Sequence, residues 1–408
     1  MKGPRRSFSE ADKRAVRAMS LGFCSNPRCL QQRTESHHIG GVRDDRSPRR
    51  LLPLCPGCHA EVTYGQYVNG EDRWWKQIIG AFWNQALSSA MVQTILTDAQ
   101  RQAERGELSR ALDRTALLYK YVYTFPQSLS SIDKGRALAE YAKRLMEQGR
   151  ARRALILLDL AEDEYHHHES TGGLVPAEAW VQFCITRSAS LRILRVPRRA
   201  LAELERAESL LNGAVDGHAH LQMHNWVLAN KGGVALAFGD VRLALRILDA
   251  SVRLADDNRF GWSEPRLRIA QARLVEGQLA PARALLDDVE HVPERSLRQW
   301  CRVLYEKTNA SYHLYQGEYE EARMAWGAAW EASRDSYLHH QCEILDQIAE
   351  RPSFCPEVIK EDLDLSGNAV ELGEVLRHLS QQNRRMRDYD HPLALETLVG
   401  CASSLRAR

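Results

Sequence analysis

Four of the nine cysteines fall in two close pairs, Cys24-x4-Cys29 and Cys55-x2-Cys58. Two such pairs, each on a tight turn, supply four thiolates for a tetrahedral zinc site. From Leu21 to Val62 the chain is crowded with Gly, Pro, Cys and His and sustains no helical period. A segment with so few apolar residues needs a metal to fold. Cys184, Cys301, Cys342, Cys355 and Cys401 stand alone and read as small buried hydrophobes. Between the pairs lies His37-His38-Ile39-Gly40-Gly41, and His59 directly follows the second pair in LLPLCPGCHAEVT (51–63). By residue type alone these imidazoles are ligands of a second metal, extra zinc ligands or polar hairpin residues.

A basic loop separates His38 from the second cysteine pair. It carries Arg43, Arg46, Arg49 and Arg50. Residues 1–60 hold twelve Lys/Arg against five Asp/Glu, a net of +7, so a chain of net +2 carries −5 elsewhere. A basic head on a mildly acidic body points to nucleic acid. On that reading Arg43, Arg46 and Arg49 meet DNA phosphates, which gives affinity without sequence information; otherwise they are a solvated loop.

The order of these residues resembles the HNH endonucleases, or ββα-metal nucleases, over roughly residues 20–65. In that family a hairpin carries a ligand followed by a His, a turn carries an Asn, and a short helix carries the last ligand, often between zinc cysteines. The resemblance implies that His37 and His59 hold a catalytic divalent ion (Mg²⁺, Mn²⁺ or a transition metal), distinct from a structural Zn²⁺ on Cys24, Cys29, Cys55 and Cys58. It implies that His38 is the general base that activates water. The chain departs from the family where Arg50 stands in the place of the Asn. Arg50 either donates hydrogen bonds in place of the amide, holds phosphate, or marks a weakened site.

The scaffold is legible as a repeat. Residues 9–19 predict a short helix with Ser9 as N-cap and Asp12 three residues on. From about residue 72 the chain reads as consecutive helix pairs. Small residues recur seven apart: Ala154 with Ala161, Ala200 with Ala207, Ala244 with Ser251, Ala322 with Ala329. Ala111 with Leu118 and Ala282 with Val289 follow the same frame. Gly106, Gly149, Gly239, Gly277 and Gly317 each precede the first alanine by five residues; Arg195 is the exception. The first alanines are 43, 46, 44, 38 and 40 residues apart, room for two helices and a turn. Such units bury a core only by stacking.

Segments such as GEYEEARMAWGAAWEA (317–332) and GDVRLALRILDASVRLA (239–255) resemble the tetratricopeptide repeat. That resemblance spans roughly residues 90–345 and implies a concave face for a protein or peptide partner. The expected fold is therefore mostly α: a zinc-stapled HNH-like module over 1–85, a tetratricopeptide-like α-solenoid over 86–350, and capping helices over 351–408.

No stretch reaches the roughly 20 apolar residues of a membrane span, and no apolar run follows the basic N-terminus, so a cytoplasmic protein without membrane contact is expected. No GxxxxGK[ST] loop is present, which argues against nucleotide hydrolysis. Trp74, Trp75 and Trp83 read as packing between module and first helices rather than as a base-stacking platform, and His166–His168 as the polar end of a helix. The combined expectation is a metal-dependent DNA endonuclease controlled by a partner-binding scaffold, in a setting such as bacterial defence against phage. RNA is the alternative substrate, self-association is an alternative use of the scaffold, and a catalytically inactive zinc adaptor is the competing class.

Overall fold

A computed structural model describes residues 9–19, 23–32, 34–39, 51–63, 75–76, 87–194, 196–212, 218–258, 263–290, 299–316 and 318–333. Arg43, Arg46, Arg49, Arg50, Trp74, Trp83, Gly317 and the expected capping helices of 351–408 lie outside these residues, as does the side chain of His38. The described chain is mostly helical, with one two-stranded sheet. It divides into two compact units. The first comprises 1–103, 109–141 and 161–168, the second 104–108, 142–160 and 169–408.

The first unit opens with helix α1 (Glu10–Met19). The expected N-cap forms: the Asp12 amide donates to Ser9 Oγ at 3.1 Å, and the Ser9 hydroxyl and amide donate to the Asp12 carboxylate at 2.6 and 3.3 Å. Each partner satisfies a donor the other exposes. Val16, the one buried residue among the described side chains of this charged helix, packs on Leu51. Strand β1 (Glu35–His38) pairs antiparallel with β2 (Leu51–Leu54), Glu35 opposite Leu54 and His38 opposite Leu51. Helix α2 (Pro56–Thr63) follows. Pro56 sits at its first position, where a missing N–H costs nothing.

Helices α3 (Ser89–Glu104), α4 (Leu108–Thr124) and α5 (Ser131–Glu147) then begin the helical array. Leu87, Val92, Ile95, Leu118, Tyr121, Leu129 and Ala137 form a shared core. Tyr165, on α6 (Ala151–Ser170), lies fully buried against Gly135, with its ring occupying the space a Cβ would need. Gly135→Ala should therefore overpack this contact and cost about 1–3 kcal/mol. A denaturant midpoint unchanged from wild type would contradict that.

The second unit continues with α7 (Ala177–Ile193), α8 (Pro197–Asn212), α9 (His218–Ala237), α10 (Val241–Asn258), α11 (Ser263–Val275), α12 (Leu279–Glu290), α13 (Gln299–Gln316) and α14 (Tyr319–Ala332). They pack as consecutive pairs, α7 with α8, α9 with α10, α11 with α12, α13 with α14, and the first members of successive pairs touch one another. Two of these pairs share their core with the next helix: Ala235, Ala244, Leu248, Ile269 and Ala272 form one cluster, and Leu267, Ala270, Leu286, Val289 and Leu304 another.

All twelve positions of the small-residue frame, from Ala111 and Leu118 to Ala322 and Ala329, are buried. Small side chains there let neighbouring helices approach. The turn glycines behave as their spacing requires. Gly149 and Gly239 have φ of 76° and 82°, where a Cβ is strained, and the residue after each closes the helix. The Arg150 amide donates to the Leu145 carbonyl at 2.8 Å, and Asp240 to Ala235 at 3.0 Å. Val196 closes on Leu191 in the same way at 2.9 Å, so the unit lacking the glycine keeps the turn. Cys184 and Cys301 are buried, and His166–His168 lie in the last turns of α6. No helix among the described residues is long and apolar enough to cross a membrane.

Candidate metal centre and adjoining imidazole pair

The cysteine pairs meet. Cys24 and Cys29 flank a turn after α1; Cys55 and Cys58 bracket the start of α2. Their four sulfurs lie within 4.8 Å of one another, and Cys29 Sγ is 3.8 Å from Cys55 Sγ. A tetrahedral ion with metal–sulfur bonds of about 2.3 Å holds its sulfurs about 3.8 Å apart. The turns are built for this. Asn26 Oδ1 accepts from the Arg28 amide at 2.9 Å, and its carbonyl from the Cys29 amide at 3.0 Å, folding the first pair back on itself. The Cys24 amide donates to the Gln31 carbonyl at 2.7 Å, and the Ser25 amide to the Pro53 carbonyl at 2.8 Å, tying the turn to β2. Asn26 Nδ2 and the Cys58 amide point at sulfurs, at 3.4 Å from Cys58 Sγ and 3.5 Å from Cys55 Sγ.

The electrostatics fit a cation. Hydrogen bonding to Cys29 pushes the Cys24 thiol up, while the same contact and that with Cys58 pull Cys29 well down. Contacts with Cys24 and Cys29 push Cys58 up as well. Crowded sulfurs can all be thiolates only with a positive ion among them. Around the cluster pack Ile39, Leu52, Leu54 and Trp75, all buried. Trp75, expected to pack between module and first helices, lies in this cluster, and its ring nitrogen reaches Asp113 of α4.

The module is held from α4. Arg28 Nε donates to Asp113 Oδ1 at 2.6 Å and Arg28 Nη2 to the Ser109 carbonyl at 3.0 Å, while Trp75 Nε1 donates to Asp113 Oδ2 at 3.1 Å. Seven residues along, Lys120 Nζ donates to the carbonyls of Cys24 at 2.5 Å, Cys29 at 2.7 Å and Asn26 at 3.3 Å. Burial pulls the Lys120 ammonium down to about 8, against the four cysteines, which favour its charged form. Sequence reasoning missed Asn26, Arg28, Asp113 and Lys120. The available signal was two charged residues within the apolar stripe of ALDRTALLYKYVY (111–123).

The imidazoles stand beside this centre. Alternation along β1 places Glu35 and His37 on one face of the hairpin. His37 is buried, and its ring meets that of His59 edge to face with centroids 5.2 Å apart and planes at 76°. His59, in the first turn of α2, is fixed by Glu35, whose Oε2 lies 3.1 Å from Nδ1. A carboxylate on one ring nitrogen sets the tautomer and leaves Nε2 for a ligand. Glu35 is a further candidate site residue that its motif did not reveal. His38 ends β1 opposite Leu51. Among the described residues, the four cysteines alone bring three or more ligand atoms within 4.8 Å.

No family model and no curated protein matches the chain.

Proposed function

We propose that residues 20–65 are an HNH-type module that hydrolyses phosphodiester bonds in DNA, and that the helix pairs form a tetratricopeptide-like solenoid that binds a protein or peptide partner and governs the module. The observation that carries this reading is the meeting of His37 and His59 on a β1–β2–α2 framework, beside the thiolate cluster but separate from it. The four cysteines hold structural zinc, which fixes hairpin to helix. His37 and His59 hold the second ion, with Glu35 orienting His59. A divalent ion held by these two residues would supply the positive charge that binds the scissile phosphate and offsets charge on the departing oxygen. His38 takes the proton of the attacking water. Arg50 donates to the loop or to phosphate, and Arg43, Arg46 and Arg49 bind the DNA backbone.

The direct test is nicking of supercoiled plasmid by the zinc-loaded protein with added Mg²⁺, Mn²⁺ or Co²⁺. Cleavage with at least one of them is expected, and none with EDTA. The arginine loop carries its own prediction. Each lost phosphate contact lowers the slope of log affinity against log salt by about 0.9. The triple variant Arg43→Ala, Arg46→Ala, Arg49→Ala should therefore flatten that slope by about 2–3 in a fluorescence-anisotropy titration. An unchanged slope would remove these residues from the DNA interface.

Arg50 in the Asn place favours a second reading, a zinc adaptor that grips DNA or protein without cutting. It expects salt-dependent DNA binding and no cleavage with any metal.

A further inference from the structure

Asp113 and Lys120 are charged residues on a repeat helix, yet each is about 1% exposed. Neither serves packing within the helical array alone. Asp113 receives Arg28 and Trp75, and Lys120 caps the turn that presents Cys24 and Cys29. A buried ammonium loses several kcal/mol of hydration and persists only where negative charge or carbonyl oxygen replaces water. Three carbonyls satisfy the three donors of Lys120. They do not neutralise it. The nearest candidate for the opposing charge is the thiolate cluster, two of whose residues, Cys24 and Cys29, lend carbonyls to this ammonium.

The balance of charge is simple. Four thiolates around a dication leave a formal −2, enclosed here by Ile39, Leu52, Leu54 and Trp75. Such a dianion in apolar surroundings is costly unless a cation lies close. Arg28 is already committed to Asp113 at 2.6 Å. Lys120 stands on the carbonyls of two of the four ligand residues.

We propose that Lys120 is the counter-cation of the four-cysteine metal site, so that a residue of the first repeats, far along the chain, sets how firmly the module keeps its zinc. The proposal rests on the metal reading of the cysteine cluster and is independent of the hydrolase reading. It gives α4 a second role, as a wall of the metal centre, and makes zinc retention sensitive to how that helix is seated.

The test is zinc transfer from the full-length protein to an excess of a chromogenic chelator, comparing wild type, Lys120→Gln and Lys120→Arg. Metal analysis of the wild type comes first: about one zinc per chain is expected, and none would end the metal reading itself. Glutamine keeps hydrogen-bond donors for the carbonyls but drops the charge; arginine keeps the charge. Loss of such a supporting group weakens metal binding about 10–100-fold. Lys120→Gln should release zinc at least about tenfold faster, and Lys120→Arg within about threefold of wild type. Equal rates for wild type and a folded Lys120→Gln overturn the proposal, since hydrogen bonding alone would then suffice. Should Lys120→Gln not fold, Lys120→Arg decides: slow release upholds the role of charge, and release about tenfold faster from a folded Lys120→Arg overturns it.

Discussion

His38→Ala should lower metal-dependent cleavage of plasmid DNA by about 10²–10⁴-fold, the usual contribution of a positioned general base. The structural reason to expect a clean result is where the backbone places His38. It ends β1, and its strand is held by backbone pairing with Leu51. Zinc content, helical circular dichroism and DNA affinity should therefore stay at wild-type values while the rate falls. His59→Ala should cost at least as much, because it removes one of the two rings that meet on the hairpin and leaves Glu35 without its partner. A His38→Ala protein that cuts at the wild-type rate would reassign the base. A fall in rate accompanied by lost zinc would instead mean a damaged fold.

Removing the zinc proposed for the four cysteines is the second large effect expected. Structural zinc in small domains contributes about 10–16 kcal/mol of apparent binding free energy, much of it folding free energy. Beside the metal, the described head rests on the ten-residue α1, two four-residue strands, an eight-residue helix, a small buried cluster and the hydrogen bonds that Arg28, Trp75 and Lys120 make with or from α4. Stripping the metal, or replacing Cys58 by serine, should abolish amide protection over residues 23–39 and 51–63 in hydrogen exchange. Helices α7 to α14 keep their own cores and should retain protection. A head that remains protected without metal would show that the hairpin and Trp75 suffice, and that the cysteine cluster is only well packed.

The repeat frame was legible because its signals are local. A glycine five residues before an alanine needs only one turn and one helix to act, and Gly149, Gly239 and Gly277 all take positive φ while the paired small residues are buried. The cysteine cluster was legible because metal geometry restricts ligand spacing so tightly. The grip of α4 on the module was not. Lys120 lies 96 residues from Cys24, and nothing near either residue says that one caps the other. Only the charge inside an apolar stripe hinted at a polar partner. Glu35 was missed for another reason. An acidic residue two places before a histidine is ordinary in sequence, and its meaning comes from strand alternation plus the return of α2 across the hairpin.

His37 and His59 are expected to hold a divalent ion apart from the zinc. Anomalous diffraction recorded at the manganese and zinc edges, from zinc-loaded protein crystallised with Mn²⁺ and a DNA duplex, tests it directly. Two peaks are expected: zinc among Cys24, Cys29, Cys55 and Cys58, and manganese within bonding distance of His37 and His59. Zinc alone, with both imidazoles bare beside bound DNA, would contradict it and leave a stapled DNA-binding adaptor.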